Sequence, residues 1–319
     1  MNASASSLLP EPANVVTKSG PLFLSALFHW GCFGVLCTQF FIYMGGFARD
    51  PLRNKLFVYV VFTLEVVQTI ILTKSFFDVF GYGFGDPGAY DRVGAIWFSV
   101  SFLSGIVACL TQMFYAVRLY KLSGSYRVPI VVSVLSVTQA SGAIFNAIVL
   151  KNAGLFSRLP PKSFKASNLI WAGGSALCDV VIAYFMTRYL WKRRNEAMEP
   201  TQIIVNRIVR LVLETGTITA MFAIILLVLT MLPDHISYYQ VPASILAKLY
   251  SNSMLALLNS RSMLNAPADM ECMPPVPTRT PLTVLRFVET FQDPGIVAVK
   301  SHNGYANSVD ERSESTGVD

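Results

Sequence analysis

Charge is scarce in this sequence. Only 14% of its 319 residues are Asp, Glu, Lys or Arg, against about 25% in a soluble domain. Such a surface does not face water on most sides. Histidine is scarcer still: His29, His235 and His302 stand far apart, which excludes a His-box or di-metal chemistry. No GxSxG, HExxH or paired intramembrane aspartates occur, so no common catalytic motif identifies a reaction. The five cysteines (Cys32, Cys37, Cys109, Cys178 and Cys272) lack the close spacing of a metal site, and no two are placed for an outer disulfide. Buried free thiols are expected. Residues 1–19 are polar and proline-broken, without the apolar core of a cleavable signal peptide.

What is present is apolar: 53% of the residues, gathered in blocks. Seven blocks approach or exceed the ~20 residues of a bilayer span: Pro21 to about Phe47, Lys55–Phe80, Val93–Tyr120, Val128–Leu150, Ser167–Trp191, Ile208–Leu232 and Gln240–Asn259. They are too long for barrel strands, and only helices otherwise satisfy a backbone in lipid. The expected fold is all-α, a polytopic seven-transmembrane-helix bundle spanning 20–261, between a short polar N-terminal segment (1–19) and a largely disordered tail (262–319).

The net charge of +6 is no nucleic-acid signal, because the basic residues sit in short connections and form no stripe. They orient the chain instead. Arg49, Arg53, Lys55, Arg118, Lys121, Arg127, the cluster Arg188–Arg210 and Arg261 fall on one side, which predicts an N-terminus outside and a cytoplasmic C-terminus. Lys151, Arg158, Lys162 and Lys165, between spans four and five, are the contrary group. Trp30, Tyr43, Tyr82, Tyr90, Trp97, Tyr120, Trp171, Tyr189, Trp191, Tyr238 and Tyr239 lie near span ends, where lipid-level aromatic belts form. Beyond Ser262, proline, serine and charge replace the apolar runs. That tail cannot fold alone and offers a docking place for cytoplasmic partners.

Ionisable groups inside a span cost roughly 2.5–3.5 kcal/mol each, so each needs a partner or a task. Four are singled out: Glu65, Asp179, Glu214 and Lys248. Glu214 stands at the i,i+4 spacing from Arg210, with Arg207 a further turn back, so a structural ion pair is expected at this threshold. Lys248 either snorkels outward or pairs with Asp179 or another carboxylate. A retinal tether is disfavoured because the third block holds no Asp or Glu counter-ion. Glu65 and Asp179 must pair across helices, stay neutral or face water. With Gln68 and Asn252 they make a candidate intramembrane polar site: Glu65, Asp179, Lys248, Gln68, Asn252. Gly31 with Gly34, and Gly173 with Gly174, are expected to let helices approach closely.

Two stretches, "RIVRLVLETGTITAMFAIILLVL" and "LAKLYSNSMLALLNSR", resemble the C-terminal signature of a large fungal family of multi-pass membrane proteins, catalogued as domain of unknown function 6534. "GVLCTQFFIYMGGFARDPLRNK", "FGDP" and "CLTQMFYAVRLYKLS" are similar to its earlier parts. The second span here reads "LEV" where such proteins often read "LDT", keeping an acid but not its type. The resemblance implies a seven-helix membrane protein and no activity, cofactor or catalytic residue. It draws weight to Arg210, Glu214, Lys248, Asn252, Asn259 and Arg261. Three functions remain: a receptor-like or sensor-like protein of the plasma membrane with an unidentified ligand, a small-molecule or ion transporter using Glu65 and Asp179, or a purely structural membrane protein.

Overall fold

A computed structural model describes residues 12–46, 50–195, 199–232 and 238–260; the side chains of residues 12–15, 193–195, 199–205 and 207 fall outside that description. Arg49, the side chains of Arg193, Arg194 and Arg207, Arg261, Cys272 and the tail 262–319 therefore lie outside the described residues.

Among the described residues, eight α-helices form seven candidate spans: α1 (Pro12–Gly46), α2 (Leu52–Phe77), α3 (Ser104–Ser123), α4 (Arg127–Ala153), α5 (Pro161–Asn168), α6 (Gly174–Asn195), α7 (Glu199–Met231) and α8 (Gln240–Asn259). Short α5 runs through a wide π turn, Leu169–Gly173, into α6, so the two make one span. Helix α2 extends through a similar turn to Tyr82, and α3 is entered through one at Trp97–Leu103. The protein is an integral, multi-pass helical bundle whose surroundings are lipid.

Lipid has no water to satisfy stray polar groups. On outward faces, hydroxyls return to carbonyls one turn back: Thr38 to Gly34, Thr138 to Val134 and Ser141 to Val137, at 2.8–3.1 Å. Pro21 lies inside α1 rather than at its start, and the Ser25 hydroxyl donates to its carbonyl at 2.8 Å. Gly124 and Gly154 close α3 and α4 at φ of 66° and 68°, where a side chain would be strained.

The helices are not equivalent. In α8 78% of the most apolar window is buried, against 28% in the first and sixth spans, so α8 is the central helix and those two face lipid. Phe41, Ile130 and Val180 are among the exposed apolar side chains. Of the four glycines expected to allow close helix contact, Gly174 does so, and two others, Gly105 and Gly142, do so as well. A Cβ at Gly105 would stand 2.5 Å from the Ala143 Cβ, and one at Gly142 would stand 2.7 Å from the Trp171 nitrogen. Gly31 and Gly34 meet nothing within 4 Å, and Gly173 only ordinary contacts, whereas Gly174 packs on Gln139. Trp171, Tyr43 and Tyr239 also depart from the belt reading: they are 1%, 1% and 4% exposed and belong to the core. Burial pushes the Tyr239 phenol above its ordinary range, so the group stays neutral.

Candidate functional site

Two polar clusters flank α8. On one face Lys248 and Ser251, one turn apart, meet Glu65 of α2. The Lys248 ammonium forms an ion pair with Glu65 Oε2, donates to the Glu65 carbonyl at 2.9 Å and reaches Gln68 Oε1 at 3.3 Å. Ser251 donates to Glu65 Oε1, and the Phe33 ring lies 5.1 Å from the ammonium. Both charged side chains are 0% exposed. A bare charge here would be prohibitive, and the pair answers that by giving each charge an opposite one and several hydrogen bonds. Gln68 carries the network on, donating to the Ser99 carbonyl at 2.8 Å and the Ser104 hydroxyl at 2.9 Å.

His29 of α1 joins the same cluster, although sequence reasoning weighed it only as a metal ligand. Its Nδ1 donates to the Ser244 carbonyl at 2.9 Å, and its Nε2 lies 3.1 Å from the Thr69 hydroxyl. A carbonyl only accepts, so Nδ1 carries a proton, and the Thr69 hydroxyl in turn donates to the Glu65 carbonyl at 2.8 Å, which ties His29 to α2. The signal was available: His29 is an ionisable group inside an apolar block. Asn252 lies on the seam between α1 and α8, where its amide donates to the Cys32 carbonyl at 3.0 Å. Asn259 repeats the contact seven residues on, to the Gln39 carbonyl at 2.9 Å.

On the opposite side of α8, about 200° around the helix from Lys248, Tyr250 donates to Asp179 Oδ2 at 2.7 Å. Gln112 reaches Asp179 Oδ1 at 3.4 Å, and the Ser175 and Tyr250 hydroxyls are 2.7 Å apart. Thus Glu65, Lys248 and Gln68 come together, while Asp179 belongs to a separate cluster. Glu214 meets Arg210 at 2.7 Å, on an exposed face with side chains 57% and 81% accessible. Among the described residues no group of three His, Cys, Asp or Glu is placed to hold a metal.

The voids differ in scale. A cavity beside Asp179, lined by Tyr115, Thr219, Tyr250 and Ser253, measures about 20 Å³. A second, among Leu22, Leu72, Val100, Trp171 and Gln240, is also about 20 Å³. Its walls include two polar atoms without a protein partner, Trp171 Nε1 and Gln240 Oε1. Either cavity has room for about one water. The third void is a cleft of about 490 Å³, walled by the end of α2 and the segment leading to α3.

The model of a family of unknown function, DUF6534, matches residues 175–263. The matched stretch takes in α7, α8 and nearly all of α6, hence Asp179, Glu214, Lys248 and Asn252, but not Glu65. No curated protein and no solved structure matches the chain.

Proposed function

We propose that this protein, whose last three spans carry the DUF6534 domain, is a receptor-like or sensor-like protein of the plasma membrane without enzymatic activity. Its N-terminus lies outside and its C-terminus in the cytoplasm. The observation that carries the reading is the scale of the voids: the two described inside the bundle are water-sized, and the ligand-sized one opens at the loops between α2 and α3. A carrier needs a substrate-sized site near mid-membrane. Here the ionisable residues of that region are instead sealed in the Glu65–Lys248 pair and the Asp179 cluster.

The same network supplies a route for a signal. Helix α8 is bonded to α1 through Asn252 and Asn259, to α2 through Lys248, and to α6 through Tyr250. A small displacement where these helices meet the outer loops therefore shifts α8 against several partners at once. The positive-inside rule supports the orientation. A thermal-shift screen of the reconstituted protein tests the reading: a ligand that stabilises it without crossing the membrane is expected. A ligand that is carried across would overturn it in favour of a transporter.

A further inference from the structure

The cleft next to α2 has a chemistry of its own. We infer that it binds a small organic cation, an ammonium group on a short apolar body, with the Asp78 carboxylate as counter-charge. The receptor-like reading supplies the reason for such a site, and the inference rests on it in that sense.

Size comes first. At about 490 Å³ the cleft falls within the range of small-molecule sites. It is also pre-formed, because its wall is tied to the connection between α4 and α5. Asp91 accepts from the Ser157 backbone N–H at 3.0 Å, and the Val93 N–H donates to the Gly154 carbonyl at 3.0 Å.

Charge comes next. Asp78 begins the π turn that ends the second span, where the helix already presents its negative end. A carboxylate there is disfavoured and a cation favoured. Of the other two charged groups on the cleft, Asp86 and Arg92 neutralise each other at 3.3 Å. Asp78 has no such partner among the described residues; Lys74 stands one turn back on α2 but does not line the cleft, so the lining itself carries one net negative charge.

The rest of the lining selects the kind of cation. Calcium takes six to eight oxygen ligands, several of them carboxylates, and no group of three His, Cys, Asp or Glu gathers among the described residues. Val79, Val93 and Ile96 are apolar and buried, which suits a hydrocarbon body. Tyr82 adds a ring face of the kind that attracts ammonium groups.

The test is a titration of the full-length protein in lipid nanodiscs with n-butylammonium, using n-butanol, butyrate and calcium as matched probes. Saturable binding of n-butylammonium alone is expected. Asp78→Asn is expected to weaken it by about tenfold or more, while Asp78→Glu and the distant Glu214→Gln retain it. Should Asp78→Asn fail to fold, Tyr82→Ala, outside the helical core, is expected to weaken binding in its place. Equal binding of n-butanol, tighter binding of calcium, or an unchanged Asp78→Asn variant would overturn the inference. The two readings fail separately. Absence of n-butylammonium binding sinks the ligand class alone, whereas its passage across the membrane sinks the receptor reading and leaves the cleft in place.

Discussion

Replacing Lys248 by methionine removes the cation that covers Glu65. The Glu65 carboxylate is then fully buried with Ser251 as its remaining donor, since the ammonium that reached its Oε2, the Glu65 carbonyl and Gln68 is gone. Breaking a buried pair from one side costs about 3–5 kcal/mol, because the other charge stays behind unpaired. Glu65→Leu alone is expected to cost a similar amount, leaving the ammonium with only the Glu65 carbonyl and Gln68. The double variant removes both charges and leaves only neutral orphans, the Ser251 hydroxyl and the Gln68 oxygen. These cost about 1–3 kcal/mol each at most, and a residue as flexible as Gln68 can turn elsewhere. The double variant is therefore expected to be more stable than either single one. Reversible unfolding in mixed micelles, run as a double-mutant cycle, measures this directly. Additive losses would refute the pairing, and so would a Lys248→Met loss below about 1 kcal/mol.

Three further outcomes follow from the same geometry. Tyr250→Phe removes the hydroxyl that donates to Asp179, and unfolding should show a loss of about 1.5–3 kcal/mol. Gly142→Ala places a methyl 2.7 Å from the Trp171 nitrogen and should cost about 1–3 kcal/mol by overpacking, whereas Gly34→Ala should leave thermal stability unchanged. Arg210→Ala removes one side of an exposed ion pair and should produce no measurable change in melting temperature.

The sequence exposed the spans because bilayer thickness imposes a length that any apolar run must meet. Five of the seven blocks agree with the candidate spans within a few residues, and the first span starts before its block, at Val16. The fifth span starts earlier, at Pro161, because the polar turn "PKSFKASN" is helical despite its low hydropathy. What a run of apolar residues does not encode is its facing. Gly31 and Gly34 look like a packing surface but meet open space, and Gly105 and Gly142, isolated in sequence, are the crowded ones. Trp171 sits near a span end by number and in the core by rotation.

The pairing of charges was hidden for the same reason. Glu65 and Lys248 stood out individually, yet they are separated by 183 residues, and Asp179 was an equally good partner on paper. Only the rotation of α8 decides between them. Arg210 and Glu214 were legible because a single helical turn joins them. The Asp179 partners were not, since Tyr250 reads as an ordinary aromatic of a central helix until its hydroxyl is placed. The cleft beside α2 was equally hidden, because it is built from a turn-rich segment whose shape depends on contacts with the α4–α5 connection.

The most direct test of the account is flux through the reconstituted protein. Vesicles bearing the full-length chain under an imposed pH or cation gradient are expected to leak no faster than empty vesicles, because Glu65 and Lys248 are closed on each other. A gradient-driven flux that disappears in the Glu65→Gln/Asp179→Asn variant would contradict it.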